Sequence, residues 1–240
     1  MNAYSVSHAG INRKVNQDSV LCLTSPVGDL PNLFIVADGM GGYNGGDVAS
    51  GYTIDNIQSY LDRHRGGSLI TTLHEAISDT NSGLRQKAKE NPELTGCGTT
   101  LVLATIIGGT LHVANIGDSR LYLVHEGVIR QITEDHSLVE AMVKKGELER
   151  SQARFNPHKN MITRALGSEP VVEADFFEVE VKQGDRVLLC SDGVSNMMDD
   201  SAIQGIMNDD HDPEKACRIL TETARANGGR DDMTAVVINI

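Results

Sequence analysis

Four short apolar segments of this 240-residue chain each have an aspartate at one end, beside glycine or another small or polar residue. Such runs, closed by turn-forming residues, predict strands that end at the edge of a sheet. A further aspartate, Asp18, lies just before the apolar run SVLCL. If these strand ends meet, the fold must hold several carboxylates in one place. The strand-end aspartates are Asp38 in LFIVADGMGG, Asp118 in LHVANIGDSR, Asp192 in RVLLCSDG, and Asp231 with Asp232 in GGRDDMTAVVI.

Eight segments predict strands, and several of the connections between them are as short as hairpin turns. Gly108-Gly109 and Gly117-Asp118 interrupt the stretch 99–125, which is therefore predicted to form an antiparallel meander. A parallel Rossmann sheet is disfavoured, because these connections are too short for crossover helices. The predicted strands are residues 19–24, 33–37, 99–107, 111–115, 120–125, 172–181, 186–190 and 234–240.

Amphipathic helices are predicted for residues 47–64 and 68–89, where apolar residues recur on one face. A third helix is predicted to begin after Asp212, an N-cap residue followed by Pro213, and to stop at the glycine pair 228–229. Sheets that bury one face and helices that bury one stripe favour a layered α+β sandwich.

The segment 137–167 differs from the rest of the chain. It is polar, with only weak helical periodicity, and contains the sequence Phe155-Asn156-Pro157. We interpret it as a mobile excursion from the core, and in a compact domain such a segment is more often functional than accidental.

Composition narrows the class of protein. The chain carries 21 Lys and Arg against 33 Asp and Glu, a net charge of −12, which would repel the phosphate backbone of a nucleic acid. Its four cysteines lie far apart, so neither a zinc knuckle nor a disulfide framework is indicated. No signal peptide, membrane span or linker is apparent, and a single cytoplasmic domain over residues 1–240 is expected.

The converging aspartates predict a metal site. Buried carboxylates repel one another unless cations lie between them, and an all-oxygen ligand set without cysteine or paired histidine favours Mg²⁺ or Mn²⁺. The backbone carbonyl of Gly39 adds a further candidate ligand. Two such ions could share a water, lower its pKa and align it with a phosphorus atom. The alternative is that the Asp-Gly pairs only form turns, as an isolated pair usually does.

At these residues the sequence resembles the metal-dependent protein phosphatases of type 2C, particularly the compact bacterial ones. Each motif alone is weak, whereas their ordered set covers nearly the whole chain. The motifs are R-x-x-N-x-D at Arg13–Asp18, D-G-M-G-G at Asp38–Gly42, G-T-T at Gly98–Thr100, G-D-S-R at Gly117–Arg120, S-D-G at Ser191–Gly193, and G-x-D-x-x-T at Gly229–Thr234.

The resemblance implies an α-β-β-α sandwich with two central, mainly antiparallel sheets and a catalytic centre with two divalent metals. Asp38 would bridge the metals, the Gly39 carbonyl would bind one of them, and Asp192 and Asp231 would ligate the other side. The implied reaction is hydrolysis of phosphoserine and phosphothreonine in proteins by a hydroxide that bridges the metals, without a covalent intermediate.

The resemblance also implies roles for three residues around the two metals. Asp18 would act mainly through bound water or directly on an ion, and Asp118 would help to hold a weaker third ion. Arg13 would clamp the substrate phosphate with its planar guanidinium, as a catalytic partner of Asp38. Segment 137–167 corresponds to a flap beside the active site. The expected protein is a monomer that opposes a serine/threonine protein kinase.

The chain departs from the family pattern at several positions. Gln17 replaces a common glutamate, and Asp232 stands where many relatives have asparagine. Met40 occupies the place of the histidine proposed as the general acid in eukaryotic relatives, and Tyr43 stands where many bacterial relatives have histidine. The donor of the leaving-group proton is therefore open. His136 also matches a family segment, and because it has no visible partner we predict a structural role for it.

Two other functions are compatible with parts of this pattern. A catalytically inactive domain that senses a phosphoprotein or a metal would be expected to have lost metal ligands, and none is lost here. A metal-assisted hydrolase of small phosphate esters or nucleotides would share the active site, but the chain has no Walker-type phosphate loop.

Overall fold

The computed structural model describes residues 1–41, 45–209 and 212–240, in which the strands form two antiparallel sheets. One sheet has the strand order β1-β11-β10-β7-β8, and the other has the order β2-β3-β5-β6-β9, with β4 paired to β3. The strands are β1 (Asn2–His8), β2 (Asp18–Leu23), β3 (Leu33–Met40), β4 (Gly98–Thr99), β5 (Leu101–Ile107), β6 (Thr110–Ile116), β7 (Arg120–His125), β8 (Val128–Gln131), β9 (Asp175–Glu180), β10 (Arg186–Cys190) and β11 (Met233–Asn239).

Helices cover the outer face of each sheet. The long helices begin as the sequence predicts, because the Ser68 side chain accepts the amide of Thr71 and the Asp212 side chain accepts the amide of Glu214. The helices are α1 (Gly46–Arg63), α2 (Leu69–Glu90), α3 (Leu138–Lys144), α4 (Arg150–Ala153), α5 (Asp192–Ser195), α6 (Asp200–Asp209) and α7 (Pro213–Ala226). α1 packs on β2, β3 and α2, while α7 packs on β1 and β11.

Alternation along the central strands creates three apolar layers. In β3, Ile35 faces the core shared with α1 and α2, whereas Phe34 and Val36 face the layer between the sheets. In β10, Leu189 belongs to the layer between the sheets, and Leu188 packs in the core beneath α7. The predicted α-β-β-α sandwich is therefore confirmed.

The meander predicted for residues 99–125 is wrong in its second half. β5 and β6 form an antiparallel hairpin, but β7 pairs with β10 and β8 in the other sheet. The crossing follows Gly117, whose φ of 101° lies in the region that favours glycine. A Cβ at this position would meet the side chain of Thr100 at 2.6 Å. The short connection therefore passes between sheets instead of closing a second hairpin.

Several elements carry too little pattern to be predicted. β1 is an edge strand of mixed polarity, and only Val6 in it is buried. β8 has four residues and follows a tight turn at Glu126 and Gly127, both with positive φ. The predicted strand 172–181 is shorter at both ends, since β9 spans Asp175–Glu180. Short elements of this kind are held mainly by their neighbours in the sheet.

Segment 137–167 leaves the sandwich between β8 and β9 and contains α3 and α4. Its base is held by an isolated bridge between Ser137 and Ile162, and its end returns through a bridge between Leu166 and Thr99. Thr99 also contacts the backbone of Asp38. The flap is thus anchored next to one of the predicted site residues. Among the described residues, no helix combines the length and the apolar character that crossing a membrane requires.

Replacing Gly117 with alanine tests the importance of the crossing between the sheets. We expect Gly117→Ala to lower the free energy of unfolding by roughly 3 kcal/mol, because strain at positive φ adds to the contact with Thr100. Gly108→Ala is the matched control, since Gly108 also has positive φ but no neighbouring atom within 4 Å of its added Cβ; it should cost about 1 kcal/mol. Equal losses in urea denaturation would contradict this account.

Candidate metal centre

Strand ends from both sheets bring the predicted site residues to one side of the sandwich. Asp18 opens β2 and lies opposite Asp38 in the β2–β3 register. Asp118 lies in the β6–β7 crossing, and Asp192 begins α5, separated from the end of β10 by one residue. A cavity of about 330 Å³ opens at this point. Six of the predicted residues line it, namely Arg13, Asp38, Gly39, Asp118, Asp192 and Asp231.

The backbone of Asp38 is fixed by the G-T-T motif. The Asp38 amide donates to Thr100 Oγ1 at 2.9 Å, while its carbonyl accepts the Thr100 amide at 2.9 Å and the Thr99 hydroxyl at 2.9 Å. Thr100 Oγ1 also lies 2.8 Å from the hydroxyl of Ser119, next to Asp118. The motif therefore connects two of the carboxylate-bearing segments.

Gly39 is required by the close approach of two other chain segments. A Cβ at this position would lie 2.0 Å from the carbonyl oxygen of Gly46 and 2.5 Å from that of Gln17. The Gly39 amide donates to the same Gln17 carbonyl at 3.1 Å. No other residue fits here without displacement of the backbone at the start of α1.

Two of the buried carboxylates have an oxygen without a hydrogen-bond partner. Asp18 accepts the hydroxyls of Thr234 and Ser191 on Oδ2, at 2.6 and 2.7 Å, but its Oδ1 has no partner. Asp192 Oδ2 accepts the side-chain Nδ2 of Asn196 at 3.0 Å, and its Oδ1 is likewise unpaired. A buried unpaired carboxylate oxygen is costly unless a cation or proton compensates it.

Burial and mutual repulsion raise the pKa values of the group. Burial raises the pKa of Asp18 to about 7, an effect that its two hydroxyl partners offset only in part. Burial, followed by the charge of Asp231, raises the pKa of Asp192 to about 6. Burial, reinforced by the neighbouring carboxylates, holds the pKa values of Asp38 and Asp118 well above the usual range. The cavity therefore favours bound positive charge.

The donor set fits a hard divalent cation. The residues described around the cavity supply carboxylate and backbone oxygens and include neither cysteine nor histidine. No three His, Cys, Asp or Glu side chains in the described ranges already form a compact ligand group. The carboxylates surround open space instead, which suits Mg²⁺ because this ion usually keeps several of its waters.

Arg13 borders the cavity and contacts two acidic side chains. Its Nη2 atom lies 2.5 Å from Asp231 Oδ1, and its Nη1 donates to Gln17 Oε1 at 2.9 Å. The same Nη1 lies 3.7 Å from Asp232 Oδ2. About one third of the Arg13 side chain is exposed (34%), so a ligand in the cavity can reach its guanidinium.

Three positions bear on the question of a catalytic histidine: Met40 and Tyr43, where relatives have histidine, and His136. Met40 lines the cavity, while Tyr43 lies outside the described residues. His136 is buried, with Nδ1 accepting the Gly117 amide at 3.0 Å and Nε2 lying 3.0 Å from Asp175 Oδ2. Both ring nitrogens are thus occupied beside the β6–β7 crossing, which supports the structural role predicted for His136.

Other residues at the site were not predicted to have a role there. Thr234 and Ser191 lie within the sequence motifs, and only the fold shows that both contact Asp18. Asn160 and Ile162 reach the cavity from the flap. No local pattern indicates this, because it depends on how segment 137–167 folds back over the sheet edge.

A sequence model described as protein phosphatase 2C matches residues 7–235 of the chain. The chain belongs to this family. It is 36% identical over 214 residues to the serine/threonine phosphatase stp of Listeria innocua. The aligned region covers 88% of this chain and 85% of that protein.

Solved structures of phosphatases share the fold. The serine/threonine phosphatase Stp1 from Staphylococcus aureus superposes with a TM-score of 0.93 at 30% identity, covering 99% of this chain and 94% of that one. The catalytic domain of the serine/threonine protein phosphatase PstP, solved in complex with two manganese ions, has a TM-score of 0.86 at 33% identity. The match covers 99% of this chain and 97% of the PstP domain.

A thermal melt tests the charge compensation without an activity assay. Mn²⁺ at about 100 times its Kd should stabilise the chain by about 2.7 kcal/mol, a rise in Tm of roughly 5 to 10 °C for a chain of this size. Asp38→Asn should melt higher than the wild type in chelator, because one buried charge is gone, and should lose most of the rise with Mn²⁺. Asp55→Asn, on an exposed residue of α1, is the control. A full Mn²⁺ shift in Asp38→Asn would contradict the assignment of Asp38.

Proposed function

We propose that the whole chain acts as one catalytic domain, a divalent-metal-dependent phosphatase that hydrolyses phosphoserine and phosphothreonine in proteins. The convergence of Asp38, Asp118, Asp192 and Asp231 on one cavity beside Arg13 carries this proposal. Membership of the protein phosphatase 2C family agrees with it, and related proteins are serine/threonine phosphatases.

The carboxylates at the cavity would share the coordination of two core metal ions. Asp38 would contact both core ions, with the Gly39 carbonyl on one side and Asp192 and Asp231 on the other. The buried, unpaired Oδ1 of Asp192 is well suited to a direct contact. Two Mg²⁺ or Mn²⁺ ions bound there would lower the pKa of a water and neutralise charge on the phosphoryl group.

Two further aspartates would complete this arrangement. Asp18 has one oxygen held by Ser191 and Thr234 and the other unpaired. We propose that the free oxygen holds a metal-bound water or contacts an ion. Asp118, which lines the cavity on the side of the β6–β7 crossing, would help to hold a weaker third ion.

Arg13 would orient the phosphate. A guanidinium presents parallel N–H groups that match two phosphate oxygens, and Arg13 stands at the cavity with part of its side chain exposed. Its contacts with Asp231 and Gln17 limit the rotation of the guanidinium. A substrate phosphate would therefore bind between Arg13 and the carboxylates that line the cavity.

The leaving serine or threonine requires a proton. The described lining of the cavity offers no imidazole, and Met40 occupies the wall where one would serve as a donor. In this proposal the carboxylates bind the metal ions and are therefore ionised, so they have no proton to donate. We therefore assign the proton to water that reaches the exposed edge of the cavity beside Arg13 and Asp231, whose side chains are about one third exposed (34% and 29%).

The substrates would be phosphorylated proteins rather than nucleic acids. The chain has a net charge of −12, which disfavours a long polyanion, whereas a single phosphoryl group needs only the local positive charge of Arg13 and the metals. We propose that these substrates are the products of a serine/threonine protein kinase and that the chain acts as a cytoplasmic monomer.

Turnover by Asp38→Asn tests the catalytic proposal. With Mn²⁺ in excess, wild type should release phosphate from a phosphothreonine peptide and from p-nitrophenyl phosphate. Asp38→Asn should lower kcat/KM on both by at least about 100-fold, because a bridging charge is removed. Asp55→Asn should match wild type, and chelation should abolish the wild-type activity.

The choice of substrate separates the competing functions. No turnover of either substrate, together with calorimetric binding of Mn²⁺, would favour a catalytically inactive sensor. A kcat/KM much higher on small esters than on phosphopeptides would favour a small-ester hydrolase. Near-normal activity of a folded Asp38→Asn variant would show that Asp38 does not bridge the metals.

A further inference from the structure

Asp232 is a fully buried carboxylate with two backbone partners on a distant segment. Only 1% of its side chain is exposed. Its Oδ1 accepts the Gly10 amide at 2.9 Å, and its Oδ2 accepts the Gln17 amide at 2.8 Å. One side chain from the residue just before β11 therefore holds both ends of the β1–β2 loop.

This loop carries Arg13. Within it, the Arg13 amide donates to the Gly10 carbonyl at 2.9 Å, so that Gly10 begins a turn leading into Arg13. At the other end, the Oε1 atom of Gln17 accepts Arg13 Nη1 at 2.9 Å. The two residues whose amides bind Asp232 are thus the two that define the Arg13 backbone and the position of its guanidinium.

The adjacent residues Asp231 and Asp232 have different surroundings. Asp231 lines the cavity and contacts Arg13 Nη2 at 2.5 Å. The side chains of successive residues in an extended segment point to opposite sides. Asp232 accordingly points into the protein interior and is not among the residues that line the cavity. Its Oδ2 nevertheless lies 3.7 Å from Arg13 Nη1. Its negative charge therefore attracts the guanidinium from behind.

We propose that Asp232 is a positioning residue for the binding of phosphate by Arg13. It fixes both ends of the loop through two amide hydrogen bonds and orients the guanidinium by its charge. Only a carboxylate supplies both acceptors at this position, because an asparagine side chain would face one of the two amides with its own N–H₂ group. The inference rests on the proposed role of Arg13 and adds to it a residue that does not touch the substrate.

The test compares Asp232→Asn and Arg13→Ala in the full chain at saturating Mn²⁺. The measurements are KM and kcat for a phosphothreonine peptide and Ki for inorganic phosphate. We expect Asp232→Asn to raise KM and Ki by about tenfold and to change kcat by less than about threefold, the pattern of a lost binding contact. Arg13→Ala should raise both by at least as much. The double variant should match Arg13→Ala, since positioning requires the arginine.

Two controls separate positioning from a general structural role. Asp185 is a buried aspartate that accepts the Lys182 amide at 2.9 Å and contacts His125, so Asp185→Asn should lower Tm without changing Ki for phosphate. Mn²⁺ affinity, measured by calorimetry, should be unchanged in Asp232→Asn. If Asp232→Asn does not fold, Asp232→Ser keeps one acceptor and leaves room for water at the other amide.

Three outcomes would overturn the proposal for Asp232. They are an unchanged Ki for phosphate in a folded variant, a loss of Mn²⁺ affinity equal to the loss of phosphate affinity, and additive effects of Asp232→Asn and Arg13→Ala. If Arg13→Ala itself leaves Ki unchanged while wild type remains an active phosphatase, the role of Arg13 fails. Inactive wild type would instead contradict the proposed function.

Discussion

Electrostatic repulsion among buried carboxylates is the constraint on which the rest of this structure depends. Asp18, Asp118 and Asp192 are buried and Asp38 is partly buried, and burial raises the pKa of each of the four. A protein core tolerates such a group only where hydrogen bonds and cations compensate it. The two sheets end at this point, so the charges collect at an opening and not in a closed core.

The surrounding residues compensate the charges only partly. Ser191 and Thr234 bind one oxygen of Asp18, and Asn196 binds one oxygen of Asp192. These partners fix the orientation of each carboxylate and leave its second oxygen without a partner. Complete pairing within the protein would stabilise the fold but would leave no ligand atom for an ion. The incomplete pairing therefore leaves two buried oxygens available as ligands for a cation.

Much of this could be predicted from local pattern, and the remainder depends on contacts between distant segments. The strand-end position of Asp38 and Asp192 follows from apolar runs closed by small residues. The crossing of β7 into the other sheet does not follow, because the sequence around Gly117 is also that of a hairpin turn. The same holds for flap residue Asn160, whose place at the cavity depends on long-range packing. Local pattern predicted which residues gather at the cavity better than it predicted how the strands connect.

The pair Asp231-Asp232 illustrates the limit of reading residues from a motif. In sequence both are acidic and adjacent, and a second charge beside a presumed metal ligand suggests only added repulsion. In the structure their side chains have opposite environments: the first borders the cavity, while the second binds the amides of Gly10 and Gln17. Part of the added charge is offset by Arg13, which contacts both carboxylates. A charge that appears redundant beside a presumed metal ligand thus contacts Arg13 and the loop that carries it, so one short segment of chain borders the cavity and also holds the arginine.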